Sequence, residues 1–185
     1  MKRFTSLILL LILSLNVACE KSNLKENFQC EASAPGNTKN YKDILKHFEI
    51  GIPKDWKTIL YYDEYVSNIY SADTSKALTQ TYIVDITWHQ GELLFDKAFE
   101  ANVKSTLDSS QMHLTKKEFI KFKKYPAYYF YSQGKYMEYD YHLLEVYVKT
   151  KPDEFYSFLS KVYGKENVKE RVCESIALFE DISIK

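Results

Sequence analysis

The sequence predicts an α+β fold in which a central antiparallel sheet of about six strands is flanked by helices, an α/β/α sandwich. Three observations indicate this fold. Short runs alternate apolar with polar residues, which is typical of half-buried strands. Two longer segments carry apolar residues at helical spacing. Gly (5) and Pro (4) are scarce among the 185 residues, which favours long regular elements. Strands joined by hairpin-length turns form antiparallel sheets, and amphipathic helices must cover their faces.

The predicted domain begins with a strand over residues 48–52, where Phe, Ile and Ile alternate with Glu and Gly. It ends at the turn Pro53-Lys54-Asp55-Trp56, because proline fixes its own φ and cannot continue a central strand. Apolar spacing predicts helices over 92–107 and 166–179. Further strands are predicted over 57–62, 67–72, 79–89, 111–124, 127–132, 135–150 and 154–163, with a hairpin turn at Gln133-Gly134.

The N-terminus predicts export. Lys2-Arg3 precedes an apolar stretch at 7–15, and nine residues at about 1.5 Å each cannot cross a hydrocarbon core of about 30 Å. Val17-Ala18-Cys19 is typical of the cleavage box of bacterial lipoproteins. We therefore expect residues 1–18 to be a signal peptide and a lipid on Cys19 to anchor the protein in the cell envelope, at the outer membrane. The alternative is an ordinary signal peptide with a chance cysteine.

The remaining chain divides into two predicted parts. Residues 19–40 are polar and predict a flexible tether, and residues 41–185 predict a single domain. Lys plus Arg and Asp plus Glu are 25 each, and loss of Lys2 and Arg3 with the signal peptide changes the formal net charge from +0 to −2. This balance argues against a nucleic-acid partner, which requires a basic excess.

Two cysteines remain if Cys19 carries a lipid. Cys30 and Cys173 are predicted to form a disulfide, because two thiols in an exported chain usually pair in an oxidising compartment. Two free thiols or a metal site are the alternatives. The four histidines show no zinc-binding spacing with these cysteines, so we predict no metal site and no cofactor.

The opening Phe48-x-Ile50-x-Ile52-Pro53-x-x-Trp56, the mid-chain helix, the tyrosine-rich hairpin and the closing helix together resemble the PsbP-like superfamily. This superfamily includes small bacterial envelope lipoproteins, and the resemblance covers about residues 44–180. It implies a central antiparallel sheet flanked by helices and a non-catalytic role in binding or assembling other proteins. The superfamily shares no catalytic motif, so the resemblance assigns no catalytic residue here.

Tyrosines crowd the predicted hairpin and form a candidate binding surface for an unknown envelope protein. Because side chains alternate along a strand, Tyr129 and Tyr131 share one face, and Tyr139, Tyr141 and Tyr147 share one. Tyrosine is enriched at protein interfaces, where it supplies a large contact area. The alternative is a sheet face covered by helices.

The sequence contains no recognised catalytic motif. His89 and Glu92 are close enough to share a metal or a proton, but a strand end and a helix start explain them equally well. We expect a non-enzymatic protein-binding or assembly factor. The alternatives are a carrier of a small apolar or anionic ligand in a pocket lined by tyrosines and Trp88, and a hydrolase with an unrecognised site. The lysine-rich segment 116–124 predicts a protected sheet edge.

Overall fold

A seven-stranded antiparallel sheet is the centre of the fold, with strand order β3-β4-β5-β9-β8-β7-β6. The structure is a computed structural model that describes residues 24–185. A smaller antiparallel sheet has the order β1-β2-β10. The helices are α1 (Leu24–Phe28), α2 (Lys97–Ser109) and α3 (Val168–Glu180). The strands are β1 (Thr38–Lys42), β2 (Phe48–Pro53), β3 (Lys57–Tyr62), β4 (Val66–Ala72), β5 (Tyr82–Gln90), β6 (His113–Phe122), β7 (Tyr125–Tyr136), β8 (Tyr139–Lys151), β9 (Glu154–Tyr163) and β10 (Ser183–Ile184).

Two helices lie on opposite faces of the large sheet. Val84 and Ile86 of β5 share one face with Phe158 of β9, and α3 packs on this face through Ile176. The opposite face of β6, β7 and β8 packs against α2, which contributes Val103 and Leu107. The predicted α+β sandwich is therefore confirmed. Its large sheet has seven strands rather than about six, and the first predicted strand, β2, lies in the small sheet.

Helix α2 begins later than the sequence predicts. The carboxylate of Asp96 accepts a hydrogen bond from the backbone N–H of Phe99 at 2.9 Å. An aspartate that caps the first turn in this way fixes the start of a helix. The helix therefore begins at Lys97, and the predicted first turn over 92–96 is wrong.

The hairpin between β7 and β8 turns at Met137–Glu138, not at Gln133-Gly134 as predicted. Tyr136 of β7 pairs with Tyr139 of β8, and Met137 has a φ of 53°. Gly134 lies inside β7, where a Cβ atom would come within 2.8 Å of the carbonyl oxygen of Gln111. The glycine therefore permits a close approach of the chain after α2 and does not make the turn.

Residues 24–30 and 38–40 pack on the domain, which corrects the flexible tether for these residues and the domain start predicted at residue 41. Leu24 of α1 is 2% exposed in the main core. β1 pairs with β2, with Tyr41 opposite Ile50. Apolar contacts of α1 and the pairing of β1 with β2 attach these residues to the domain, although their polar composition predicted a flexible segment. The predicted signal peptide and Cys19 lie outside the described residues.

A disulfide joins Cys30 to Cys173 of α3 with an S–S distance of 1.98 Å, as predicted. It attaches the segment after α1 to the closing helix. Lys25 of α1 also forms an ion pair with Glu180 at 2.8 Å. None of the helices in the described part of the chain is long and apolar enough to span a membrane.

Candidate functional site

The five predicted surface tyrosines lie on two faces of the large sheet. Tyr129 is opposite Val146 and faces the main core, where it is 2% exposed. Burial raises the pKa of Tyr129 to about 12. Tyr131 shares that face and packs on Phe28 of α1, with ring centroids 5.5 Å apart. Neither residue therefore lies on a free surface.

The other three tyrosines are half-buried near the turn and under α2. Tyr147 packs edge-on against Phe99 of α2 at 5.2 Å, and Tyr141 packs on Tyr163 of β9 at 4.9 Å. Burial raises the pKa of Tyr141 and of Tyr147, so both hydroxyls are protonated at neutral pH. Tyr139 packs edge-on against Tyr163 at 6.4 Å. The five residues thus do not form one surface, and a partner contact at Tyr139 stays a prediction.

One region of the large sheet has no helix over it in residues 24–185. Helix α2 lies over β6, β7 and β8, while α3 contacts β5 and β9 from the opposite face. No described helix therefore lies over the side of β3, β4, β5 and β9 that continues the α2-covered side of the sheet. Four strands at about 4.8 Å spacing make it about 15 Å wide. We call this side the open face. The register places on it Ile59, Tyr61, Asn68, Tyr70, Asp85, Thr87, His89, Ser157 and Lys161.

A polar network occupies the centre of the open face. Lys161 and Asp85 form an ion pair at 2.7 Å, and their side chains are 22% and 19% exposed. The Asn68 amide donates to Asp85 Oδ1 at 2.6 Å and to Thr87 Oγ1 at 2.7 Å. The Lys161 ammonium also lies 5.5 Å from the ring centroid of Tyr70. Each of these groups already has a partner, so the network gives the face a fixed arrangement of polar atoms.

Four large side chains are exposed on the hairpin that forms the edge of this face. Ile59, Tyr61 and Tyr65 are 51–59% exposed, and we call them the hairpin patch. Tyr62 is also exposed but lies on the opposite face of β3, because it pairs with the buried Ser67. Asp63 holds the turn, because its Oδ1 accepts from the N–H groups of Tyr65 at 2.7 Å and Val66 at 3.0 Å. The Tyr61 hydroxyl donates to the same carboxylate at 3.2 Å. The patch is thus presented on a well-ordered hairpin.

Solved structures share the arrangement of the sheets and helices. The solution structure of cyanobacterial PsbP (CyanoP) from Synechocystis sp. PCC 6803 is similar with a TM-score of 0.57, at 12% identity, over 84% of this chain and 99% of that chain. The fold is PsbP-like. The Saccharomyces cerevisiae Ran-binding protein Mog1p is similar with a TM-score of 0.50, at 6% identity, over 80% of this chain and 95% of that one. At these identities the PsbP-like similarity establishes the fold alone, as the resemblance predicted.

Comparisons of sequence find no relative. A scan against protein-family models finds no match, and a search of curated proteins finds none either.

Trp88 lies in the main core of the domain. It is 4% exposed and stacks on His47 with ring centroids 3.7 Å apart. Its indole N–H donates to Glu154 at 3.3 Å. This placement corrects the Trp88-lined pocket that the carrier alternative requires.

A cleft with a volume of about 1230 Å³ lies between the start of β5 and the start of α3. Five carboxylates line it against two cations, Lys76 and Arg171, and this excess of negative charge disfavours an anionic ligand. Trp56 and Tyr82 provide aromatic contacts at one side, with ring centroids 4.9 Å apart. The acidic lining residues are Asp55, Asp73, Glu166, Glu170 and Glu174.

His89 and Ser157 form the pair that most resembles catalytic machinery. His89 Nε2 lies 2.8 Å from Ser157 Oγ, and the imidazole stacks on Phe155 at 4.5 Å. Ser157 is only 5% exposed, and the nearby Asp85 is already paired with Lys161. A serine nucleophile requires an accessible hydroxyl and an orienting acid. The geometry therefore favours a packing role. No metal-binding group of three or more His, Cys, Asp or Glu side chains occurs within the described residues.

The half-buried His89 predicts a pH-dependent stability. Burial lowers the pKa of His89, and the charge of Asp85 opposes this effect in part. The unfolded chain takes up the proton near pH 6.5, whereas the folded chain resists it. The contribution of His89 to stability is therefore present above about pH 6.5 and is lost as the pH falls through the lower folded pKa.

We expect His89→Gln to lose less stability between pH 7 and pH 5 than the parent loses, measured by urea denaturation at both pH values. Ser157→Ala keeps the half-buried imidazole and should therefore keep the parent's loss of stability. An unchanged loss in His89→Gln would contradict the assignment.

Proposed function

We propose that the protein is a lipid-anchored protein of the bacterial cell envelope that binds another protein and catalyses no reaction. The hairpin patch is the observation that carries this proposal. Contiguous exposed apolar side chains mark protein interaction sites, and tyrosine is enriched among the residues that dominate binding. The neighbouring polar network supplies fixed hydrogen-bonding groups, as the polar parts of interfaces do.

The fold supports a binding role by analogy. Mog1p is described as a Ran-binding protein, so a protein of this fold has a protein partner. Fold alone does not determine function. The analogy therefore adds weight to the patch and does not replace it.

The N-terminal sequence and the disulfide support the proposed location. Residues 1–18 have the pattern of a lipoprotein signal peptide, and Cys19 is the proposed lipid attachment site at the outer membrane. A disulfide such as Cys30–Cys173 persists in oxidising compartments outside the cytoplasm. The two observations are independent of each other and agree on export.

Affinity purification of the full-length protein from native membranes tests the binding role. We expect a double substitution, Tyr61→Ser with Tyr65→Ser, to reduce recovery of the main co-purifying protein at least tenfold. Loss of two exposed aromatic anchors costs an interface about 2 kcal/mol or more, and a factor of ten corresponds to about 1.4 kcal/mol.

The matched control is Tyr136→Ser, because Tyr136 is 51% exposed but lies at the far turn of the β7–β8 hairpin. Equal recovery with the patch variant and the control would contradict the binding role. A Cys19→Ser variant tests the anchor separately: we expect it to leave the membrane fraction, and its retention there would contradict lipid attachment.

A further inference from the structure

The two edges of the large sheet differ in how they are protected. The β6 edge carries Lys116, Lys117 and Lys121, and its pairing with β7 is irregular between Leu114 and Lys116. Lysines and bulges are the usual devices that prevent a sheet edge from pairing with another chain. Residues 58–62 of β3 contain no charge and no proline, and the pairing of β3 with β4 is regular.

The backbone of β3 presents free hydrogen-bonding groups at this edge. The N–H of Asp63 donates to the carbonyl oxygen of Val66 at 3.0 Å and closes the hairpin. Antiparallel ladders alternate between hydrogen-bonded and non-hydrogen-bonded pairs. Every second residue before Asp63, namely Tyr61, Ile59 and Lys57, therefore bonds to β4. The N–H and C=O groups of residues 58, 60 and 62 point away from β4. No strand among residues 24–185 pairs with this side of β3.

We propose that β3 pairs with β3 of a second copy of this chain, antiparallel, about a two-fold axis at Leu60. Leu60 then lies opposite the copy's Leu60, and Ile59 lies opposite the copy's Tyr61. Lys57 lies opposite the copy's Asp63 on the open face, which gives two ion pairs across the axis. Aromatic, β-branched and opposite-charge pairs are the favourable cross-strand combinations.

The charges on the hairpin select this register among the alternatives. Pairing must bring residues 58, 60 and 62 of both copies toward each other. The partner of each residue can therefore shift only by two positions at a time, which moves the two-fold axis by one residue. A shift of the axis from Leu60 to Ile59 places Asp63 opposite the copy's Asp55, so that two like charges lie side by side. A shift of the axis to Tyr61 places Asp63 opposite the copy's Ile59, and Lys57 then has no carboxylate opposite it.

Self-pairing extends the proposed function without depending on it. It uses the backbone edge of β3, leaves the open face uncovered, and places two hairpin patches side by side on a continuous sheet. A single strand pair buries less area than the roughly 1,200–2,000 Å² of a stable interface, so the dimer is weak in dilute solution. Anchoring on one membrane would raise the effective concentration.

Cysteine cross-linking tests the register. In full-length protein carrying Cys19→Ser, we expect Leu60→Cys to yield at least ten times more disulfide dimer on oxidation than Ile59→Cys. Residues in a hydrogen-bonded pair lie about 5.5 Å apart between Cα atoms, within the range that a disulfide spans. Ile59 is the matched control, because it is 51% exposed but lies opposite Tyr61 in the proposed register. Equal yields, or none above the Cys19→Ser parent, would overturn the proposal.

Analytical ultracentrifugation of the purified protein tests the role of the backbone. Leu60→Pro removes an N–H that points away from β4, whereas Leu60→Ala removes the side chain and keeps the N–H. We expect the dimer dissociation constant to be at least tenfold higher in Leu60→Pro than in Leu60→Ala, with both variants melting cooperatively. Equal constants, or no dimer of the parent at millimolar concentration, would overturn self-pairing. Neither result depends on the recovery of another protein.

Discussion

Replacing Arg171 with methionine should lower the free energy of unfolding by about 3–5 kcal/mol. Arg171 is 5% exposed, and its guanidinium donates to the carbonyl oxygens of Thr81 at 2.8 Å and Tyr163 at 2.9 Å. It also donates to the carbonyl oxygens of Glu166 and Asn167. One side chain therefore joins the start of β5 and the end of β9 to α3.

The expected loss of stability arises because the backbone carbonyl groups would lose the hydrogen bonds that Arg171 donates. Methionine fills the space but donates no hydrogen bond, and each buried carbonyl left without a partner costs about 1–3 kcal/mol. Burial lowers the pKa of Arg171 and nearby carboxylates, Glu174 first, oppose this effect. Arginine remains charged in proteins, so the hydrogen bonds are charge-assisted at neutral pH.

Urea denaturation monitored by circular dichroism measures this effect. The matched control is Lys169→Met, which makes the same kind of change at an exposed position of α3 and should stay within about 0.5 kcal/mol of the parent. A loss below 1 kcal/mol in Arg171→Met would show that the carbonyl groups find other partners.

Removal of the Cys30–Cys173 disulfide should produce the second large loss. The bond joins residues 143 positions apart, and such a long loop restricts the unfolded chain strongly. We expect the double substitution Cys30→Ala with Cys173→Ala to cost about 2–5 kcal/mol. For a chain of this length that corresponds to a fall of roughly 5–15 °C in Tm.

Calorimetry with and without reductant separates the bond from the packing around it. Reduction of the parent should reproduce most of the loss, and the double variant should not respond to reductant. Cys19→Ser is the control cysteine substitution and should not change Tm. A double variant with the Tm of the parent would contradict a stabilising role.

The local features of the fold could be predicted from the sequence. The spans 57–62 and 154–163 match β3 and β9, because alternation and flanking turn residues are encoded within each strand. Apolar spacing likewise located the closing helix to within two residues at its start. The hairpin turn was wrongly predicted at Gly134, because glycine occurs both in turns and where two chain segments approach closely.

The candidate site depends on non-local features. Which side chains share a face across strands is set by register, so Tyr129 and Tyr147 belong to opposite sides of the sheet. The sequence analysis identified the tyrosines of the β7–β8 hairpin. It could not show that α2 lies over β6 to β8 and that no helix lies over the same side of β3 and β4. Leu24 and Cys30 were assigned to a tether because their contacts lie far along the chain.

Site-specific photo-cross-linking in native membranes tests the hairpin patch most directly. Tyr61 is replaced with p-benzoylphenylalanine in the full-length protein, and Lys104, exposed on α2, is replaced in a matched sample. Irradiation should give a discrete adduct with another protein from position 61, distinct in mass from a dimer of this chain, and none from position 104. No such adduct at position 61, or the same adducts from both positions, would contradict protein binding at this surface.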